Sequence, residues 1–280
     1  GGQRIDLLAV EAEEFGKVSW YRDDFSVLPL SGVMGHLYAG SHNRIEIPSG
    51  ASSIGMWVRP ELLHPYMSIA LILVDSTGQA SLLPVDTLSG DQWQLLRAEI
   101  PEEFGSPLYL ASVLTFEPPE LPASAGSVFI DNIHVTLQSN DEILILEDFE
   151  QDRDWLPLAI SRLTSENQFA IVDDAYDGVS AGLLKFKGAT LRGFRGFYMS
   201  PTGGALPVVA SKSLLETGKF NLGDEIFVGI ETVLTPVRIV DAVDHFPTMS
   251  PDRPFLLADL ESLQRHLDAI PVLIYLWANE

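Results

Sequence analysis

A chain of 280 residues, 46 % apolar and 20 % charged, is long enough for one large domain or two ordinary ones, and this composition excludes a disordered polypeptide. Its 39 acidic residues against 17 basic ones give a formal charge of −22, with 6 basic and 17 acidic groups in residues 1–140 and 11 and 22 in residues 141–280, so each half carries −11. Such a field repels phosphate backbones and anionic lipid surfaces, and the lack of cysteine excludes disulfides, thiolate metal sites and cysteine nucleophiles.

In chain order, LSGVMGHLYAG (30–40) is expected to form a short helix, with Ser31 as N-cap and Val33, Met34 and Leu37 on one face. Residues 44–137 are a succession of short strand runs: RIEIP, SIGMWVRP, SIALILVDSTGQ, QWQLLRAEIP, LYLASVLTFEPP and SVFIDNIHVTL. Each is bounded by Gly, Pro, Asp or Ser at the spacing of an all-β sandwich. Asp75-Ser76-Thr77-Gly78 is a turn signal, and the uninterrupted apolar run SIALILV predicts a buried strand.

At SNDE (139–142) the rhythm breaks, which predicts a domain boundary near residue 140. A second β-rich stretch follows, with LILEDFEQDRDW (144–155) and LLKFKGATLRGFRGFYM (183–199). From 206 the pattern becomes mixed α and β. PVVA reads as a strand, and Ser211 or Ser213 caps a short helix that Gly218 ends. EIFVGI and 236–243 are paired strands, and Asp259 caps a helix carrying Leu260, Leu263 and Leu267. The expected fold is therefore mainly β with an α+β part. It comprises an N-terminal jelly-roll β-sandwich over 1–140, then a β-rich segment and a small βαββα module over 141–280.

The residues suited to chemistry are scattered. The six histidines, at 36, 42, 64, 134, 245 and 266, show neither HExxH nor HxH spacing. His245, in DHFPT beside a proline turn, fits loop packing better than catalysis. PSGASS (48–53) and SPTGGA (200–205) read as turns, with no nucleophile elbow, phosphate loop or dinucleotide fingerprint. Neighbouring carboxylates (Glu11/Glu13, Asp23/Asp24, Asp148/Glu150, Asp152/Asp154, Asp173/Asp174) are what so acidic a chain contains anyway, and solvated surface is the simpler reading. No catalytic or cofactor-binding residue is assigned.

Three binding features remain. A structural Ca²⁺ clipping VEAEEF (10–15) to FIDNIHV (129–135) would use oxygen ligands, with Asp131 and Asn132 as the polar end of a strand in the simpler reading. Trp20, Trp57, Trp93, Trp155 and Trp277 would stack on sugar rings if exposed, although Trp57 and Trp93 lie within strand runs where core packing is the default. Lys185, Lys187, Arg192 and Arg195 form a basic cluster that either neutralises nearby acids or faces an acidic partner.

A resemblance adds to this. WYRDDFSVLPL, IPSGASSIGMWVRPE, LILVDSTGQ, DQWQLLRAEIP and SVFIDNIHV resemble jelly-roll segments in the extracytoplasmic regions of bacterial transporter permeases. LPVVASKSLLETGKFNLGDEIFVGI, VRIVDAVDHFPTMSPDRPFLLADLESL and WANE are similar to the large external loop of FtsX/MacB-like ABC transporter permeases. The resemblance implies an ectodomain without catalysis, anchored through parent transmembrane helices and served by a separate cytoplasmic ATPase subunit. The matching positions Ser211, Gly223, Asp224, Phe246 and Pro247 have the character of caps, turns and packing, so no functional residue carries over. No stretch approaches the roughly 18 apolar residues of a membrane span. The expectation is a soluble chain or a soluble piece of a larger protein. The alternative is a carbohydrate-binding jelly-roll protein, and a carboxylate-pair hydrolase is the least favoured.

Overall fold

The computed structural model describes residues 4–18, 28–38, 44–62, 66–117, 125–151, 153–159, 166–188, 195–230, 233–250 and 252–270. The chain begins with β1 (Asp6–Val10), α1 (Ala12–Val18) and α2 (Leu30–Leu37). Then come β2 (Ile45–Ile47), β3 (Ala51–Pro60), β4 (Ser68–Asp75), β5 (Ala80–Thr87), β6 (Gln94–Glu99), β7 (Leu108–Phe116) and β8 (Gly126–Leu137). β9 (Ile143–Glu147), β10 (Trp155–Pro157), β11 (Gln168–Val172), β12 (Ala181–Phe186) and β13 (Arg195–Met199) follow. The last part holds β14 (Leu206–Ser211), α3 (Lys212–Gly218), β15 (Glu225–Ile230), β16 (Val233–Val243), β17 (Phe255–Asp259) and α4 (Leu260–Asp268). These elements divide into two compact units, one of residues 44–199 with the last described residues, 268–270, and one that joins 1–43 to 200–267.

In the unit of residues 44–199, alternation makes the sandwich. Ile54, Met56 and Val58 of β3 share one core with Ile69, Leu71 and Leu73 of β4. Gly55, Trp57 and Arg59 fall on the opposite face of β3, because successive strand side chains point to opposite sides. One sheet runs β10-β13-β7-β4-β5, with β2 also on β7, and the other runs β11-β12-β8-β3-β6, with β9 also on β8. From β2 to β8 the chain changes sheet at every step except the β4–β5 hairpin, which is close to the alternation of a jelly roll. That hairpin turns where expected, with Asp75 Oδ1 accepting from Thr77 N and Gln79 N and Gly78 at φ +85. Gly196 permits a close strand approach, since a Cβ there would lie 2.2 Å from the Val113 carbonyl oxygen of β7.

The boundary expected near residue 140 is corrected by this arrangement. It falls between β8 and β9, which are hydrogen-bonded neighbours. β12 pairs with β8, and β13 pairs with β7. Residues 143–199 therefore complete the first sandwich rather than begin a second unit. The polar SNDE is a hairpin turn, and a turn inside a sheet has the same composition as a linker.

The other unit is a five-stranded mixed sheet ordered β1-β17-β14-β16-β15. β1 runs parallel to β17, and β14 runs parallel to β16. β17 explains the layering: Phe255 and Leu257 enter one apolar cluster with α2, while Leu256 and Ala258 enter another with Leu214 of α3 and Leu263 of α4. A strand covered on both faces reads as a continuous apolar run rather than an alternating one. Val33, Met34 and Leu37 of α2 are buried as predicted, but the helix begins at Leu30 and its N-cap, Pro29, makes no side-chain cap bond, so Ser31 lies inside the helix. Of the α4 leucines, Leu263 and Leu267 pack and Leu260 is 38 % exposed. Asp259 caps α4 through Ser262 N and also accepts from Ala12 N, so one carboxylate serves the first turns of two helices.

Candidate functional site

On the non-core face of the β3/β8 sheet, side chains and one loop form an aromatic platform. Trp57 of β3 stacks face to face with Tyr176, ring centroids 3.6 Å apart and planes 12° apart. Trp93 meets Tyr176 edge-on at 6.1 Å and Phe129 of β8 at 6.4 Å. Arg59 lies two residues beyond Trp57 and so on the same face. Its guanidinium sits 4.1 Å from the Phe129 ring centre and 5.2 Å from that of Trp93, and Nη2 donates to Asp174 Oδ2 at 2.6 Å. Tyr176 remains 44 % exposed.

Two carboxylates hold the loop that delivers Tyr176. Asp131 Oδ2 accepts from Tyr176 N and Asp177 N at 2.8 and 3.1 Å, and its Oδ1 accepts from Asn132 N at 2.7 Å. Glu150 Oε1 accepts from Val179 N and Ser180 N at 2.7 and 3.0 Å. Burial pushes the Asp131 carboxyl above the usual range, against the three N–H donors that favour its charge, and Glu150 nearby adds to the rise. Glu150 is exposed, and the N–H groups of Ser180 and Val179 hold its carboxyl lower. Gly55 keeps room beneath for His134, because a Cβ there would lie 2.8 Å from the imidazole Nε2. The other ring nitrogen, Nδ1, is 2.8 Å from the Asn132 carbonyl oxygen.

The expected site residues are thus redistributed. Asp131 uses its oxygens as acceptors for backbone N–H groups, and Asn132 sits at φ 45 in the strand irregularity of β8. Three of the acceptor positions of Asp131 are thus taken by backbone N–H groups of its own loop and strand. Among the described residues no group of three or more His, Asp or Glu side chains is placed to hold a metal. Asp148 accepts from Glu150 N, and Asp174 pairs with Arg59, so these members of the carboxylate pairs act as local acceptors. Asp23, Asp24 and Asp152 lie outside the described residues.

The basic cluster does not survive as one surface. Arg195 is buried at 4 %, 3.5 Å from Glu117 and stacked over Phe186, while Lys187 pairs with Glu166 and Lys185 is exposed. Arg192 lies outside the described residues. Trp155 is core, its Nε1 donating to Glu147 Oε2 at 3.0 Å. Trp20, Trp277, His42 and His64 lie outside the described residues. His36 is 3.2 Å from Asp241, and His266 is buried. His245 is exposed, while its neighbour Phe246 packs into the core against Phe15 at 5.5 Å, so the phenylalanine anchors the DHFPT loop.

The positions carrying the permease resemblance are structural. Ser211 Oγ accepts from Leu214 N and from Phe255 N, capping α3 and tying β14 to β17. Gly223 turns at φ +91, and Asp224 Oδ2 accepts from Asn221 N. A cleft of about 290 Å³ at one edge of the sandwich is lined by Pro48, Glu99, Glu102, Phe104 and Gln138 among others, with no histidine. No family model, no curated protein and no solved structure matches the chain. Tyr176, Arg59 and Glu150 were missed as a constellation by sequence reasoning. The only local signal is the turn-rich DAYDGVS, since Tyr176 and Trp57 meet across more than a hundred residues.

Proposed function

We infer that this chain is a non-catalytic extracytoplasmic domain of an ABC-type transporter permease, acting through contact with a partner or substrate and through mechanical coupling. The observation that supports it best is the way the chain enters and leaves one small unit. β1 and β17 are adjacent parallel strands with Asp6 beside Phe255, and α4 follows β17 directly to pack in the cluster that also takes Leu7 and Ala9. The β-sandwich is inserted between them. A module whose first and last elements are neighbours can be carried between two membrane spans without straining either. In this reading transport belongs to the parent protein, with its transmembrane helices and a cytoplasmic ATPase subunit. Among the described residues no helix is long and apolar enough to cross a membrane.

The test is to read the coding sequence on both sides of these 280 residues and to fractionate cells expressing the whole reading frame. Apolar spans before and after this segment, retention in a carbonate-washed membrane pellet and cleavage by protease added from outside are expected. A secretory signal followed by a stop codon after Glu280 would overturn the reading.

A carbohydrate-binding jelly-roll protein is the second reading, and it draws on the exposed ring of Tyr176 above Trp57. A glycan array followed by titration of a hit tests it, with binding expected to fall more than tenfold in Tyr176→Ala. Binding that survives the substitution would sink it.

A further inference from the structure

β15 is an edge strand, paired only with β16 among the described residues. Its pairing phase follows from two facts. Phe227 lies opposite Pro236, which has no N–H and cannot complete a reciprocal pair. Ile239 N donates to Asp224 O at 3.0 Å, which places residue 224 in the bonded phase. Antiparallel pairs alternate between bonded and non-bonded, so Ile226, Val228 and Ile230 bond to β16. Glu225, Phe227 and Gly229 then turn their N–H and C=O groups to the open edge.

Among the described residues most of the usual protections of an edge are missing. β15 contains no Lys and no Pro, and its register with β16 is unbroken from 225 to 230. Phe227 is 52 % exposed, and a Cβ on Gly229 would touch nothing. The strand is also self-complementary. An antiparallel copy centred on Phe227 sets Phe227 opposite Phe227 of the second copy, and Glu225 opposite the second copy's Gly229. Each of these pairs consists of residues whose main-chain groups face outward. On the other sheet face, Ile226 lies opposite Val228 of the second copy, extending the cluster that Ile226, Val228 and Ile230 already join. The chain charge of −22 opposes self-association in general, but the acid on this edge, Glu225, is held by Arg238 of its own chain at 2.7 and 2.9 Å.

We propose that β15 is a dimerisation edge, joining two copies of the chain through β15–β15 antiparallel pairing about a two-fold axis at Phe227, so that the two five-stranded sheets become one of ten strands. This inference stands apart from the permease reading, because it requires only the edge geometry.

Sedimentation velocity of the 280-residue chain from low to high micromolar concentration tests it, alongside Phe227→Lys. That substitution sets like charges opposite each other across the axis and disturbs no core residue. Wild-type protein is expected to shift to twice the chain mass with rising concentration. Phe227→Lys is expected to raise the dissociation constant more than tenfold while leaving the circular dichroism spectrum unchanged. Amide exchange supplies the second readout: Phe227 and Gly229 should become protected as concentration rises, whereas Ile226 and Val228 are protected throughout. A wild-type chain that stays monomeric, a dimer insensitive to Phe227→Lys, or exchange at 227 and 229 that ignores concentration would each overturn the proposal.

Discussion

Single side chains decide two of the least obvious features of this molecule. Asp131 is fully buried and accepts three backbone N–H bonds, two of them from the loop that presents Tyr176. Asp131→Ala leaves those donors without their acceptor, at an expected cost of about 2–3 kcal/mol in a denaturation series. Freeing Tyr176 from Trp57 should also change the tryptophan fluorescence, and Glu150→Ala, whose carboxylate is exposed, should change stability less. His266 works through its charge. Burial lowers it from 6.5 to about 4, so the folded chain keeps it neutral while the unfolded chain protonates it. Stability from this residue is present above pH 6.5 and is lost as pH falls toward 4. Between pH 7 and pH 5 the loss should be about 2 kcal/mol, and urea denaturation of His266→Leu should lack that slope.

Helix ends and strand neighbours show what local sequence can and cannot reveal. Ser211 is followed by an amphipathic turn and could be read as an N-cap, and Asp259 likewise. α3 ends at Gly218 as expected, and the left-handed position that follows belongs to Lys219, at φ 56 and ψ 38. A lysine there carries the Cβ penalty that glycine avoids, so Lys219→Gly should raise stability by about 0.5–1 kcal/mol in thermal unfolding, and Lys219→Val should lower it. Strands of the sandwich were legible because turns and alternation are local signals. β17 was not, since PFLLAD is covered on both faces and runs directly into α4, so its apolar run merges with the helix pattern. β1 escaped for a different reason: its partner lies about 250 residues away, and no periodicity within DLLAV announces a parallel pairing of that range. The aromatic platform is also non-local, because Trp57 and Tyr176 come from a strand and a loop that nothing in either segment links.

Insertion is the property of the whole chain from which its folding behaviour follows. Every strand from β2 to β13 finds its pairing partners within residues 44–199, and among the described residues the apolar cluster of the sandwich draws on those residues alone. The other unit depends on both ends of the chain: β1 pairs with β17, and Val33, Met34 and Leu37 of α2 close the cluster that holds Phe255 and Leu257. Burial of aliphatic and aromatic side chains of this size contributes about 1.5–3 kcal/mol each, so removing α2 alone takes away more than a marginal unit can lose. A fragment of residues 44–199 should therefore fold by itself, with dispersed amide resonances and a cooperative melt. A chain deleted of residues 1–43 should keep that sandwich but lose the mixed sheet, so that proteolysis of the deleted chain concentrates after residue 200. An unfolded 44–199 fragment, or a 200–268 segment that still resists protease without residues 1–43, would show instead that the two units stand or fall together.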